Sequence, residues 1–198
     1  MRQFIHITFI GFVVLVFTVL AYSYGRGPVN KKTGAPGEGI CVQSDCHVTY
    51  EINSGSGTLI LHGVPAVYEP GKLYPLTVEI VQKGQSRWGF QVTVINDSLV
   101  QSGEIVKYDE ELTQLDDDDV DGKERYYLNH TRKGTYRGTD DGPVKWNFTW
   151  RAPEKKQGPI SFYVAGNAAN GNKKPTGDYI YNIVERSYAD SSAVPEKQ

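Results

Sequence analysis

The chain has 198 residues, of which 39% are hydrophobic and 22% are charged, and its formal net charge is −2. A chain of this size is expected to fold around one hydrophobic core. The near-neutral charge gives no support for the basic surface that a nucleic-acid partner would require, so that class of protein is set aside.

Residues 1–23 predict an export signal. Arg2 precedes an apolar run from Phe4 to Leu20, and the small-x-small pattern Ala-Tyr-Ser follows, with cleavage expected after Ser23. About 20 apolar residues can also span a bilayer, so an uncleaved hydrophobic helix acting as a membrane anchor is the alternative. Either outcome places the rest of the chain outside the cytoplasm, in the periplasm or at the cell surface. The chain is secreted if the signal is cleaved and anchored if it is not.

Residues 24–47 are predicted to form an irregular arm. Its sequence GRGPVNKKTGAPGEG is rich in glycine, proline and lysine and has no apolar periodicity. The arm ends in ICVQSDCH, which contains the two cysteines of the chain, Cys41 and Cys46, with His47 directly after the second. An exported cysteine pair can form a disulfide, and c-type haem is also attached in that compartment.

Residues 48–186 read as short β-favouring runs separated by turn residues. The runs are VTYEIN, TLILH, LYPLTVEIVQ, RWGFQVTVIN, RYYLN, KWNFTW, ISFYVAG and DYIYNIVE. They predict an all-β, immunoglobulin-like antiparallel β-sandwich, followed by a polar, frayed tail at residues 187–198. In four runs the alternate residues are apolar, as in half-buried strands. These residues are Tyr74, Leu76, Val78 and Ile80; Trp88, Phe90, Val92 and Val94; Trp146, Phe148 and Trp150; and Ile160, Phe162 and Val164.

An acidic run extends from Glu104 to Glu124, with ten carboxylates against two lysines. Blocks of like charge are usually exposed, so the run is interpreted as a solvated loop that could steer a positively charged partner. Asp117, Asp119 and Asp121 have the spacing that starts a calcium loop and are a weak candidate calcium site. Position 12 of such a loop should be glutamate, and here it is Leu128.

The cysteine motif leaves two interpretations open. Covalent haem attachment usually uses Cys-x-x-Cys-His, and here the order is the same but the gap holds four residues. A disulfide between Cys41 and Cys46 fits that spacing equally well. Neither the hydrolase motifs G-x-S-x-G and H-E-x-x-H nor a phosphate-binding glycine loop is present, so the chain is not expected to be an enzyme.

The motifs resemble a bacterial extracytoplasmic family, the choice-of-anchor V domain proteins. The resemblance is carried by TGAPGEG before the cysteine motif, and then by YEPGKLYPLTVEI, SRWGFQVTVI, YLNHTRKGT, WNFTWRAP and VAGNAANGN. The same elements are similar to the reelin-type (reeler) β-sandwich. The resemblance implies a reeler-type fold and a c-type haem bound through Cys41 and Cys46, with His47 as the proximal iron ligand. This chain departs from the family in its four-residue gap.

A haem at this site would need a sixth iron ligand. Met1 is the single methionine and lies in the export signal with His6, so His62 and His130 remain as candidates. The resembling family also has a histidine before threonine where this chain has His130, which makes His130 the preferred distal ligand and His62 the alternative.

Two functions follow from these observations. The first is an exported monohaem cytochrome c with bis-histidine ligation, which carries electrons to a redox partner protein in the cell envelope, as part of a membrane electron-transfer complex if the anchor is retained. Residues 33–38 of the arm would then wrap the edge of the porphyrin. The second is a non-enzymatic, secreted or cell-surface binding or adhesion domain with a Cys41–Cys46 disulfide.

Overall fold

The computed structural model describes residues 27–41 and 49–195, which fold into two facing antiparallel sheets. The predicted export signal, Cys46 and His47 lie outside these residues. Within them, none of the helices has the length and apolar character to cross a membrane. The nine strands are β1 (Thr58–His62), β2 (Leu73–Val81), β3 (Arg87–Asn96), β4 (Glu104–Tyr108), β5 (Thr113–Val120), β6 (Lys123–His130), β7 (Val144–Arg151), β8 (Ile160–Ala169) and β9 (Tyr179–Ser187), with short 3-10 helices at Lys133–Thr135 and Ser191–Ala193.

The two sheets confirm the predicted β-sandwich. One has four strands in the order β1-β2-β7-β4, and the other has five in the order β5-β6-β3-β8-β9. All neighbouring strands in both sheets run antiparallel. Each sheet therefore presents one face to the shared core and one face outward.

The core confirms the four alternating patterns, because all fourteen side chains predicted to share an inner face are buried. Trp150 lies at the centre and is completely buried. Its ring packs edge-on to Phe162 and Tyr68, and its indole Nε1 donates a hydrogen bond to the Ser102 carbonyl at 3.1 Å. A tryptophan can be buried without cost only if its N–H finds such an acceptor.

The four consecutive aspartates of the acidic run lie in a strand, β5, and not in the predicted loop. β5 contains four consecutive aspartates and pairs residue by residue with β6, from Thr113 opposite His130 to Val120 opposite Lys123. The hairpin closes through Asp121 and Gly122, which both have positive φ, as the common two-residue turn requires. The prediction was wrong because the Asp121-Gly122 turn and the pairing with β6 outweigh the repulsion between the like charges.

The beginning and end of the sandwich also differ from the prediction. Residues 49–53 of the first predicted run form bends and turns, while β4 and β5 were not predicted. At the other end β9 continues to Ser187, and Tyr188 exchanges backbone hydrogen bonds with Ala66 and Tyr68. Residues 187 and 188 are thus held by the sandwich and are not frayed.

Candidate functional site

The described part of the arm, residues 27–41, crosses the outer face of the five-stranded sheet from β5 to β9. Lys31 Nζ lies 2.8 Å from Asp118 Oδ1 on β5, and this ammonium lowers the pKa of the Asp118 carboxyl. The backbone N–H of Lys32 donates to Gln91 Oε1 on β3 at 2.7 Å. The side-chain amide of Asn182 on β9 donates to the backbone of the arm. The irregular segment is therefore anchored at three places on the sheet.

A buried carboxylate fixes the middle of the arm. The Glu38 side chain has no exposed surface, and its Oε1 accepts from Arg125 Nη1 at 2.7 Å and from the Tyr127 hydroxyl at 2.8 Å. Its Oε2 accepts from Thr33 Oγ1 at 2.6 Å. Burial, together with the nearby carboxylate, raises the pKa of the Tyr127 phenol, which therefore remains a hydrogen-bond donor. Arg125 is 1% exposed and also donates to the Pro36 carbonyl at 2.9 Å.

The arm turns its small and polar side chains toward the protein. A bridge between Thr33 and Ile40 closes the turn, and Thr33 and Ala35 are 0% and 2% exposed. The side chains of Thr33 and Glu38 bind the arm itself and the sheet, and that of Ala35 is buried, while the expectation that residues 33–38 wrap a porphyrin edge stays a prediction.

The docked arm explains why β3 is buried on both faces. The outward-facing Gln91 is 2% exposed, because its amide donates to the Val29 carbonyl at 3.0 Å and to Asn129 Oδ1 at 2.9 Å. The buried amide of Gln91 thus has hydrogen-bond partners in the arm and on β6, as buried polar groups require.

Cys41 lies at the end of the described arm, with its Sγ 3.9 Å from the Lys32 carbonyl. The chain is described again from Thr49, whose Oγ1 accepts from the Gly177 N–H at 2.9 Å. The next ring, Tyr50, stacks on Tyr179 at the start of β9, with 4.2 Å between ring centroids and 3° between planes. The haem and disulfide predictions involving Cys46 and His47 remain predictions.

His130 ends β6 and is held by the neighbouring strand. The Phe90 backbone N–H donates to its Nδ1 at 3.1 Å, and Nδ1 also lies 3.2 Å from the Phe90 carbonyl oxygen. The ring lies against the α-carbon of Gly89, where an added Cβ would be 2.6 Å from His130 Cε1. Within residues 27–41 and 49–195, the Nε2 nitrogen has no hydrogen-bond partner.

The environment of His130 favours a neutral imidazole. Loss of solvent around the ring lowers its pKa from 6.5 to about 4, and the positive charge of Arg87 adds to the effect. The neutral ring is the form of histidine that ligates metals.

His130 and the re-entry of the chain at Thr49 lie at the same end of the five-stranded sheet. In the registers across the sheet, Phe90 lies opposite Gly166, and Gly166 lies opposite Tyr181, two residues into β9. The predicted distal ligand and the chain just after the cysteine motif therefore lie at one end of the five-stranded sheet.

Replacing Gly89 with alanine is expected to push the imidazole out of its seat. The three atoms nearest to the new methyl group all belong to His130, so overpacking should cost about 1 to 3 kcal/mol of unfolding free energy. Chemical denaturation measures the cost, and proton NMR should show the His130 pKa moving toward 6.5. In a His130→Ala background the same substitution should cost much less; an equal cost in both backgrounds would contradict the contact.

His62, the alternative distal ligand, is in a different setting. Its side chain is 47% exposed, and Nε2 lies 3.0 Å from Glu79 Oε2. Lys145 also lies 2.9 Å from that oxygen, and Lys145 followed by His62 lowers the pKa of the Glu79 carboxyl. His62 therefore belongs to a surface charge cluster on the four-stranded sheet.

The candidate calcium residues are spread along a strand and its turn. Asp117 and Asp119 lie in β5, and Asp121 is in the turn, where Asp119 Oδ1 accepts from the Gly122 N–H at 2.9 Å. A calcium loop instead folds around its ion. In the part of the chain that the structure describes, no three acidic, histidine or cysteine side chains are grouped as a metal site.

Two elements of this site were missed in the sequence. Glu38 was recognised only as part of a glycine-rich motif, although a lone carboxylate in such an arm suggests a basic partner. Gly89 lies in the strand RWGFQVTVIN, where a glycine often marks the close approach of another group.

No known family model matches this sequence, and no curated protein matches it. The resemblance to the choice-of-anchor V family therefore stays a prediction. Among solved structures, the chain is similar to the reeler domain of human F-spondin, at 15% identity and a TM-score of 0.46 over 75% of this chain and 98% of that one. It is also similar to the major pilin SpaD of Corynebacterium diphtheriae, at 14% identity and a TM-score of 0.42 over 67% of this chain and 35% of that one.

Proposed function

We propose that this protein is an exported c-type haem protein that carries electrons in the bacterial cell envelope. The observation that carries the proposal is the His130 imidazole, whose Nδ1 is fixed by the Phe90 backbone. Nδ1 accepts from the Phe90 N–H in the tautomer with its proton on Nε2. In the other tautomer, with the proton on Nδ1, the ring donates to the Phe90 carbonyl and keeps the Nε2 lone pair for iron. Metal-ligating histidines are typically oriented by such a bond from their other nitrogen.

Three further features support this assignment. The ring is kept neutral, it lies against Gly89, and it shares one end of the sheet with the chain that follows the cysteine motif. Cys41 and Cys46 would hold the haem by thioether bonds, and His47 would be the proximal ligand. When bound between two imidazoles, such a haem supplies low-potential, one-electron transfer.

The proposal includes a location and a partner. An N-terminal signal or anchor at residues 1–23 would place the sandwich in the periplasm or at the cell surface, and a redox protein of the envelope would exchange electrons with it. The role is non-enzymatic, because a six-coordinate iron has no position open to a substrate. The acidic β5–β6 edge would favour a partner with a basic docking surface.

One observation favours the second candidate, a surface binding domain with a Cys41–Cys46 disulfide. Glu38, Thr33 and Ala35 have complete packing roles in the arm, so no cofactor is needed to explain the TGAPGE sequence. In that case the loops of the sandwich would carry recognition.

Expression of the full chain with a c-type haem maturation system separates the two functions. The haem proposal expects a Soret band, a covalent haem stain after denaturation and no thiol or cystine at residues 41 and 46. A colourless protein with one cystine would contradict the proposal and support the binding domain.

Replacing His130 with alanine in the haem-loaded protein is expected to convert a low-spin spectrum to high spin, because the sixth ligand is lost. Free imidazole should restore the low-spin spectrum, which separates ligand loss from misfolding. His62→Ala is the matched control and should keep the low-spin spectrum. If His62→Ala loses the low-spin spectrum while His130→Ala keeps it, the ligand assignment is wrong.

A further inference from the structure

The ion pair between Glu38 and Arg125 joins the arm to the sheet in a place where neither side chain reaches solvent. Their side chains are 0% and 1% exposed, and Nη1 and Oε1 are 2.7 Å apart. Exposed ion pairs contribute little, but a buried charge that loses its partner is strongly destabilising. The arm can therefore leave the sheet only if the ion pair between Glu38 and Arg125, which is shielded from water, is broken.

The guanidinium of Arg125 binds the arm at two residues. Its Nη1 donates to the Pro36 carbonyl and to Glu38, while its Nε has no hydrogen-bond partner among the described residues. Both of these Nη1 bonds reach the arm, so Arg125 connects β6 to two residues of the arm.

The arm connects two places that matter to the proposed haem site. Near its start, the Cα of Gly27 lies close to the His130 carbonyl, since an added Cβ would be 2.8 Å from that oxygen. At its end Cys41 lies beside the Lys32 carbonyl. Glu38 is three residues before Cys41, so fixing Glu38 also fixes the point at which the cysteine motif begins.

We propose that Glu38 and Arg125, supported by Tyr127 and Thr33, form a latch that sets the position of the Cys41 end of the arm relative to the sheet. The latch itself is independent of any cofactor. Its consequence, that Glu38 and Arg125 are positioning residues for the iron ligands, rests on the proposed haem function.

The latch is tested first in the full-length protein without haem, by trypsin cleavage after Lys31 and Lys32. Glu38→Gln should raise the cleavage rate by about tenfold or more, because cleavage follows the population of the open arm and a hydrogen bond to a charged group is lost. Glu104→Gln is the matched control, since Glu104 pairs with Arg151 on the exposed surface, and its rate should not change. Equal rates in both variants would overturn the latch.

Tyr127→Phe keeps the test decisive if Glu38→Gln does not fold. It removes only the hydroxyl that donates to Glu38, so the fold should persist while arm cleavage rises several-fold. An unchanged cleavage rate in a folded Tyr127→Phe protein would also overturn the latch.

The positioning role is tested in the haem-loaded protein. Tyr127→Phe should shift the reduction potential and the pH at which the low-spin spectrum is lost, whereas Glu104→Gln should change neither. If the arm opens in the variant but both properties stay unchanged, the positioning role is wrong and the latch stands. If the protein takes up no haem, the proposed function fails while the cleavage result still decides the latch.

Discussion

Replacing Arg125 with methionine is expected to lower the free energy of unfolding by about 3 to 5 kcal/mol, the range for breaking a buried ion pair. The substitution removes the cation and leaves the inaccessible Glu38 carboxylate with the Tyr127 hydroxyl, the Thr33 hydroxyl and the Thr33 backbone N–H as donors. These neutral donors do not offset the loss of solvation of a full negative charge. Chemical denaturation followed by tryptophan fluorescence measures the change.

Two comparisons make this expectation specific. Adding Glu38→Gln to Arg125→Met should recover much of the loss, because the amide carries no charge and still accepts from Tyr127. Arg151→Met removes the same kind of pair from the surface, where Arg151 is 44% exposed, and should have little effect. Similar losses in Arg125→Met and Arg151→Met would show that burial of the first pair has no energetic consequence.

The stability of the haem-free protein is expected to fall as the pH decreases from about 6.5 to about 4, by about 3 kcal/mol for His130 alone. The folded chain has a His130 pKa of about 4, and the unfolded chain has the ordinary value of 6.5. Between these values the unfolded chain binds a proton that the folded chain does not, so protonation favours unfolding. The contribution is complete above pH 6.5 and is lost at pH 4.

His130→Gln isolates this effect from the carboxylates that also titrate in acid. The glutamine variant should have a flatter stability profile between pH 4 and 6.5, and the difference between the two profiles is the contribution of His130. NMR titration of the histidine ring checks the pKa directly. Parallel profiles for the two proteins would mean that the His130 pKa is the same in the folded and unfolded chains.

The sequence predicts the strands best where alternation is driven by burial. Trp146, Phe148 and Trp150 point to one core because adjacent side chains of a strand face opposite ways. The same argument fails for β5, where backbone pairing with β6 and the Asp121-Gly122 turn outweigh the repulsion between aspartates. It fails for residues 49–53 because Asn53 adopts a left-handed conformation and bonds to Ile180 and Asn182, which a β-propensity pattern does not reveal.

The candidate site is only partly accessible to sequence reasoning. His130 could be selected by its residue type and by the family resemblance, but its restraint by Phe90 depends on a contact across 40 positions. Glu38 and Arg125 are 87 positions apart, and nothing near either residue identifies the other. A composition rich in glycine and proline predicted an irregular arm, whereas its burial is decided by the polar outer face of a distant sheet.

The aspartates of β5 also have a consequence for how separate molecules meet. β5 is an outermost strand of its sheet, and such strands can pair with the same strand of another copy. Pairing there would bring two runs of four aspartates side by side, while Asn30 already occupies the Asp117 carbonyl. The acidic run therefore opposes edge-to-edge pairing between two copies of the folded protein.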